Sequence, residues 1–348
     1  MNPLRFLFVG GGTGGHLTPA VGLAEALRAR GHQTMFLTSG REVEHSYLEG
    51  VGECQSLRLD ESKWPKPLAL GGAMLRARRS SRGFRPDVVV SLGGLSGCAA
   101  ITAKRGRPLV LLEGNRVVGK AVRLMQGFAD STFTLFADTA TELQTGYFVG
   151  PISRRSLAQQ DSVLSRTKFG LPVDSTVLLV CGGSQGAAQL NDFIVDRAAE
   201  LAGAGVSVLA LCGLGKAEAL RTAAKQSGLS AVVFEHCEDM GSAYSAADFA
   251  LCRGGASTIA ELWLHRMPSM IVPYPWHRDR QQEHNARGLG AGAVVVDELG
   301  AREWRQLRSL LTVSAQREQM REVLAAEAPR DGLAVAVQLL EDFAVQQQ

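Results

Sequence analysis

The sequence predicts an α/β protein built from two doubly wound domains. Its 348 residues exceed what one hydrophobic core commonly holds. Short apolar runs alternate with helical periodicity along the whole chain, the pattern of parallel strands joined by crossover helices. The pattern also restarts: one glycine loop follows the first apolar run, and a similar loop follows the run at Val177–Val180.

The elements follow in order. Arg5–Val9, Gln33–Thr38, Asp87–Val90, Leu109–Leu112 and Thr132–Phe136 read as buried parallel strands. Between the first two lies a helix with Thr18 as expected N-cap, Pro19 at its first position and Gly31 as terminator. The polar segment from Gly150 to Lys168, with Pro151 and a run of Ser, Gln and Arg, is the expected linker. Beyond it come Val177–Val180, the loop Gly182-Gly183-Ser184-Gln185-Gly186, a helix and the strand Val206–Cys212. Ala231–Glu235, Phe249–Cys252 and Ser269–Pro273 continue the second sheet. Two such domains imply a cleft with glycine loops on both walls.

Composition narrows the function. An apolar fraction of 45% and a charged fraction of 20% describe an ordinary globular protein. A net charge of +3 argues against nucleic acid as a partner. Cys54, Cys98, Cys181, Cys212, Cys237 and Cys252 are scattered without a C-x-x-C pair, which suits buried thiols in a reducing compartment and neither a metal site nor a disulfide framework. Phe6–Val9 is too short for the apolar core of a signal peptide, and no stretch approaches the roughly 18 apolar residues that span a bilayer. A cytoplasmic chain that can still lie on a membrane is expected.

The loops carry the chemistry. Gly10-Gly11-Gly12-Thr13-Gly14-Gly15-His16 follows a strand and opens a helix, so its backbone N–H groups can approach an anionic group. The glycines formally satisfy a dinucleotide fingerprint, but the second strand ends in Leu37-Thr38-Ser39, without the carboxylate an adenosine ribose needs. No Gly-Lys-Ser or Gly-Lys-Thr exists, which excludes a Walker A loop. His16 reads equally as a general base or as a polar residue packed near a helix start. Arg253-Gly254-Gly255-Ala256-Ser257-Thr258 leaves a strand and enters a helix containing Glu261. Thr258 and Glu261 fit a capping box; alternatively the loop amides take a pyrophosphate while Glu261, an acceptor only, receives a ribose diol. Gln281 and Gln282 offer neutral amides suited to sugar hydroxyls, or form a solvated helix start. No Asp-x-Asp is present, so neither metal nor cofactor is expected and helix N-termini supply the positive potential.

Lys63-Trp64-Pro65-Lys66-Pro67-Leu68-Ala69-Leu70, then Met74-Leu75 and Arg76, Arg78, Arg79, Arg82 and Arg85, set apolar residues beside clustered cations. Such a segment suits an anionic lipid surface, or a helix buried on one face.

These pieces, in this order, resemble the MurG family of N-acetylglucosaminyl transferases over nearly the whole chain. The likeness rests on GGTGGH at 11–16, GGLSG at 93–97, EGN at 113–115, GGSQGA at 182–187, ADFALCRGGASTIAEL at 247–262, PYP at 273–275 and DRQQ-x-x-NA at 279–286. The resemblance implies a GT-B fold. It divides the chain into an acceptor- and membrane-binding domain at 1–152 and a UDP-sugar domain at 153–331, with a helix in 332–348 packing back on the first. It implies inverting transfer from UDP-N-acetylglucosamine to the C4 hydroxyl of the acceptor sugar in lipid I, giving lipid II for peptidoglycan synthesis. The place is the cytoplasmic face of the bacterial membrane, with other cell-wall synthesis proteins as partners.

By matching motif, Ser184 and the Ala256-Ser257-Thr258 turn hold the diphosphate, with Gln185 beside them. Glu261 binds the ribose, Cys237 offers backbone to uracil, and Gln281 and Gln282 contact the sugar. Asn115 lies near donor and acceptor; Thr13, Gly14, Gly15 and His16 line the acceptor side. His16 is the expected base, with Glu113 as substitute. The family's N-P-V-R run reads Gly150-Pro151-Ile152-Ser153, which shifts the diphosphate-side arginine to Arg154. Rival readings are a transferase with another lipid acceptor, a UDP-N-acetylglucosamine 2-epimerase, and a non-catalytic UDP-sugar-binding module.

Overall fold

The computed structural model describes residues 3–11, 14–41, 44, 47–59, 65–183, 186–276, 279–327 and 332–346. The chain divides into two compact units, Met1–Arg155 with Pro329–Gln348, and Ser156–Ala328.

In the first unit the elements are β1 (Arg5–Val9), α1 (Gly14–Ala29), β2 (Gln33–Thr38), β3 (Glu53–Ser56), α2 (Lys66–Phe84), β4 (Val88–Ser91), the short α3 (Gly94–Gly97) and α4 (Ala100–Ala103), β5 (Leu109–Glu113), α5 (Lys120–Met125), β6 (Ser131–Thr134), α6 (Ala137–Thr141) and β7 (Gly146–Phe148). The strands form one parallel sheet in the order β3-β2-β1-β4-β5-β6-β7. Alternation along β1 explains why it is apolar throughout. Phe6 and Phe8 enter one core with Leu17, Leu23 and Leu27 of α1, while Leu7 and Val9 enter another with Ala69, Ala73 and Ala77 of α2. Both faces are covered, as parallel sheets require.

Helix α1 begins earlier than the caps in its sequence suggest. It opens at Gly14, which places Thr18 and Pro19 inside the helix, so Thr18 is not its N-cap. Pro19 removes one backbone donor there, and burial of Leu17, Ala20, Val21, Leu23 and Ala24 outweighs that loss. Gly31, at φ 87°, closes the helix as expected, its amide bonded to Arg28 O at 2.9 Å.

Helix α2 buries the small stripe Ala69, Ala73, Ala77 and Ser81. Ser81 Oγ donates to Ala103 O at 2.5 Å and Thr102 Oγ1 to Met74 O at 2.8 Å, fixing α2 against α4. Leu68 and Leu75, 60% and 68% exposed, share its outer face with Arg78, Arg79 and Arg82, since these positions recur at helical spacing. Arg76 does not join them: its Nε donates to Leu57 O at 2.7 Å.

The second unit contains α7 (Ser162–Phe169), β8 (Thr176–Cys181), α8 (Ala188–Asp196), α9 (Ala198–Gly203), β9 (Val206–Leu211), α10 (Glu218–Ser227), β10 (Ala231–Phe234), α11 (Met240–Ala246), β11 (Phe249–Cys252), α12 (Ala256–Leu264), β12 (Ser269–Ile271), α13 (Gln281–Arg287), β13 (Ala293–Val295), α14 (Ala301–Thr312) and α15 (Ser314–Glu327). Its parallel sheet runs β10-β9-β8-β11-β12-β13. One face, with Leu178, Val180, Val208, Ala210 and Leu251, packs on Leu190, Ile194, Leu220 and Leu307.

The expected linker is partly folded. Asp161 caps α7 by accepting from Leu164 N at 2.8 Å. Arg166, only 9% exposed, donates to Ala246 O at 2.9 Å and pairs with Asp248 at 2.7 Å. A buried guanidinium satisfied by backbone carbonyls and a carboxylate belongs to a packed structure, so this polar composition conceals a helix of the second unit.

The last helix, α16 (Gly332–Val345), belongs to the first unit. Ala336, Val337, Leu340 and Ala344 enter the α1 core, and Glu341 meets Arg30 at 2.7 Å and His32 at 2.9 Å. A side chain on Gly332 would come 2.5 Å from Pro151 O, so only glycine allows this approach.

Candidate active site

In each sheet the strand order reverses beside the first strand of its unit, between β1 and β4 and between β8 and β11. Ligands of open α/β sheets bind outside the carboxyl ends of the strands at such a reversal. In the second unit Cys181 and Cys252 end β8 and β11 in register with each other. Both are buried, and the hydrogen bond with Cys181, together with burial, pushes the Cys252 thiol well above its usual range. The two side chains form a buried floor to the reversal.

The loops leaving the two strands are shaped by close backbone approach. A Cβ on Gly186, whose φ is 65°, would lie 2.0 Å from Cys212 O. A Cβ on Gly254 would lie 2.2 Å from Gln282 O. Arg253 ties the second loop down, with Nη1 donating to Val272 O at 2.9 Å and Pro273 O at 3.2 Å, and Nη2 to Gln189 Oε1 at 3.1 Å. Burial lowers the Arg253 pKa.

Helix α12 starts after Gly255 with no side-chain cap, so Ala256, Ser257 and Thr258 form its first turn. The capping-box reading of Thr258 and Glu261 therefore fails, because Thr258 already lies inside the helix. The Glu261 carboxylate instead accepts from Tyr244 Oη at 2.8 Å. Burial first, and then the Glu261 charge, push the phenol well above its usual pKa and keep it a donor.

Other predicted residues of this unit fall on the same edge of the sheet. Cys237 follows β10 in the connection to α11; burial raises its thiol pKa. Its neighbour Asp239 caps α11 through Ser242 N at 3.0 Å. Burial opposes its ionisation, yet Lys168 and Ser242 hold its carboxyl down to about 2. Gln281 and Gln282 open α13 after Arg280, which sits at φ 46°. Gln282 Oε1 accepts from Tyr274 N at 2.9 Å and so pins the loop leaving β12. Ser184 and Gln185 lie outside the described residues.

In the first unit Thr13 lies outside the described residues, and of Gly14, Gly15 and His16 only the backbone, which opens α1, is described. The loop before them packs on a buried carboxylate. Glu44, 1% exposed, accepts from Ser39 Oγ at 2.8 Å and from Gly40 N and Arg41 N at 2.9 Å each. A Cβ on Gly11 would lie 2.3 Å from its Oε1.

Glu113 at the end of β5 is 5% exposed. Its Oε1 accepts from Asn115 N at 2.9 Å and Asn115 Nδ2 at 3.1 Å, and its Oε2 from Gly119 N at 2.7 Å. Burial raises its pKa, while those same hydrogen bonds lower it. The arrangement suits an anchor for the loop carrying Asn115 better than an acceptor of a substrate proton. Arg154 lies over the Tyr47 ring at 5.0 Å, and its buried Nε and Nη2 have no hydrogen-bond partner among the described residues.

Sequence reasoning missed Tyr244, Arg253 and Glu44. Tyr244 is the one aromatic residue in the small-residue helix α11, but nothing local ties it to Glu261.

Residues 6–134 match the glycosyltransferase family 28 N-terminal domain, and residues 177–323 match the glycosyltransferase family 28 C-terminal domain. The UDP-N-acetylglucosamine--N-acetylmuramyl-(pentapeptide) pyrophosphoryl-undecaprenol N-acetylglucosamine transferase of Chlorobium luteolum is 32% identical, over 97% of each chain. The chain belongs to the MurG family. A crystal structure of MurG from Acinetobacter baumannii superposes with a TM-score of 0.79 at 22% identity, covering 98% of this chain and 100% of that one. The fold is accordingly GT-B, as the MurG resemblance implied. A UDP-N-acetylglucosamine 2-epimerase structure has a TM-score of 0.68 at 16% identity, covering 100% of this chain and 98% of that one, so the fold alone does not separate these activities.

Proposed function

We propose that this chain transfers N-acetylglucosamine from UDP-N-acetylglucosamine to the C4 hydroxyl of undecaprenyl-pyrophosphoryl-MurNAc-pentapeptide, lipid I, giving lipid II for peptidoglycan synthesis. The observation that carries the reading is the second unit's reversal point, where a helix N-terminus without a side-chain cap stands one turn from a held carboxylate, Glu261, in a chain of the MurG family. Amides of Ala256, Ser257 and Thr258, with Ser184 and Gln185, take the diphosphate and stabilise its charge as UDP leaves. Glu261 receives the ribose diol, the Cys237 backbone meets uracil, and Gln281 and Gln282 meet the sugar. On the acceptor side act Thr13, Gly14, Gly15, Asn115 and Arg154. His16 takes the hydroxyl proton in an inverting displacement, and Glu113 positions Asn115.

The outer face of α2 docks on anionic lipid at the cytoplasmic face of the membrane, Leu68 and Leu75 entering the interface beside Arg78, Arg79 and Arg82. Each cation there contributes about 1 kcal/mol. Among the described residues no helix is long and apolar enough to cross a membrane. Other cell-wall synthesis proteins are proposed partners.

The deciding experiment offers labelled UDP-N-acetylglucosamine with a lipid I analogue, with diacylglycerol, or with no acceptor. Transfer to lipid I alone is expected. Transfer to diacylglycerol would change the acceptor, conversion without acceptor would make the chain an epimerase, and UDP binding without turnover would leave a binding module.

A further inference from the structure

We infer that Tyr244 is a positioning residue for donor binding, its hydroxyl fixing the Glu261 carboxylate in the orientation that receives the ribose diol. The inference rests on the reading of Glu261 as the ribose acceptor. A glutamate has several freely rotating side-chain torsions, and ordering them on binding opposes affinity. A carboxylate already held in place avoids that loss. Tyr244 supplies the hold, donating at 2.8 Å to Oε2 from a ring that is 1% exposed. A hydrogen bond to an ionised acceptor is stronger than one between neutral groups.

The tyrosine ring is itself closely packed. It stacks on His265 at 4.9 Å with an interplanar angle of 23°. His265 is buried, its Nε2 lies 2.9 Å from Leu157 O, and burial lowers its pKa, which favours a neutral ring. Helix α11, which carries Tyr244, is capped by Asp239 and approaches the chain so closely at Gly241 that a Cβ would lie 2.3 Å from Ser156 O. A phenylalanine would fill the same volume. The hydroxyl in this buried place is accounted for by its partner, Glu261.

The test uses the full chain and calorimetric titration with UDP and with 2′,3′-dideoxy-UDP, which lacks the diol. For Y244F the expected result is about tenfold weaker UDP binding with dideoxy-UDP binding unchanged, the loss of one charge-assisted contact made through the ribose. Equal weakening of both ligands would reduce Tyr244 to a packing residue and overturn the inference, as would unchanged UDP affinity. The two readings fail separately. If the wild-type chain binds both ligands equally, the ribose reading falls and takes the positioning role with it. If wild type discriminates and Y244F discriminates as strongly, only the positioning role falls. Should Y244F fold poorly, E261A and Y244F/E261A are compared instead. Equal UDP affinity is expected there, and a further loss of about tenfold in the double variant overturns the inference.

Discussion

The two units solve the same problem differently. Each opens a doubly wound sheet at a strand-order reversal and sends glycine loops from its carboxyl edge. In the second unit, side chains expected to touch the donor are themselves fixed: Glu261 by Tyr244 and Gln282 by the Tyr274 amide, beside a loop strapped by Arg253. In the first unit the fixed groups are carboxylates turned inward onto their own loops, Glu44 beneath Gly11 and Glu113 beneath Asn115. Preorganised side chains suit a ligand of constant shape such as a nucleotide. Anchored backbone instead shapes a loop edge and leaves recognition to residues beyond the anchor. The difference shows that one architecture can place its rigidity in recognition groups or in their supports.

The largest expected effect tests the recognition groups. E261A should weaken UDP binding about a hundredfold in calorimetry, since hydrogen bonds to charged groups contribute about 1.5–3 kcal/mol each. Unchanged affinity would leave Glu261 a structural residue and erase the contrast.

A matched pair of glycine substitutions comes next. G254A drives a Cβ to 2.2 Å from Gln282 O and should weaken UDP binding at least about tenfold. G11A meets Glu44 and should reduce lipid I transfer while leaving UDP affinity within about twofold. Loss of UDP binding in G11A would contradict the assignment of donor recognition to the second unit.

E113Q sharpens the support side. A glutamine amide cannot accept at both oxygens, so the Asn115 or Gly119 donors lose a partner, destabilising the chain by about 1–3 kcal/mol in denaturant unfolding with UDP affinity kept. Because burial raises the folded pKa of Glu113, its contribution is fully present below the ordinary glutamate range and declines as pH rises through the folded value. The stability gap between wild type and E113Q should narrow over that window, and a gap that widens there would contradict the raised pKa.

The smallest effect concerns Asp239, whose folded pKa of about 2 lies below the ordinary aspartate range. Its contribution is present above that range and is lost as pH falls towards 2. D239N, which can still cap α11, should lower stability near neutral pH by less than about 1 kcal/mol, the usual scale for a part-exposed pair. The difference should shrink as pH falls through about 2 and vanish below it in acid unfolding.

Much of the sheet was legible because parallel strands buried on both faces are short, apolar and bounded by glycine. Arg5–Val9, Gln33–Thr38 and Phe249–Cys252 begin and end where the runs do. Three of the four edge strands were not: β3 is half exposed with alternating burial, β7 spans three residues, and β13 is nowhere fully buried. β3 and β7 carry too little apolar signal to separate from loop, and β13, though apolar, is only three residues long. Caps misled as well. Thr18 with Pro19, and Thr258 with Glu261, carry good start signals, but one helix extends back to Gly14 and the other begins at Ala256.

What the sequence alone determined was the order of strands and helices, the glycine loops at their carboxyl edges and the residue types offered there, because periodicity and turn chemistry are local. Tertiary structure alone decided which groups meet. It turned Glu113 inward, buried Arg166 in the expected linker, and set Tyr244 against a carboxylate seventeen positions away across β11. Those partnerships depend on how sheets and helices pack, and no local pattern encodes the distance between two side chains on different elements.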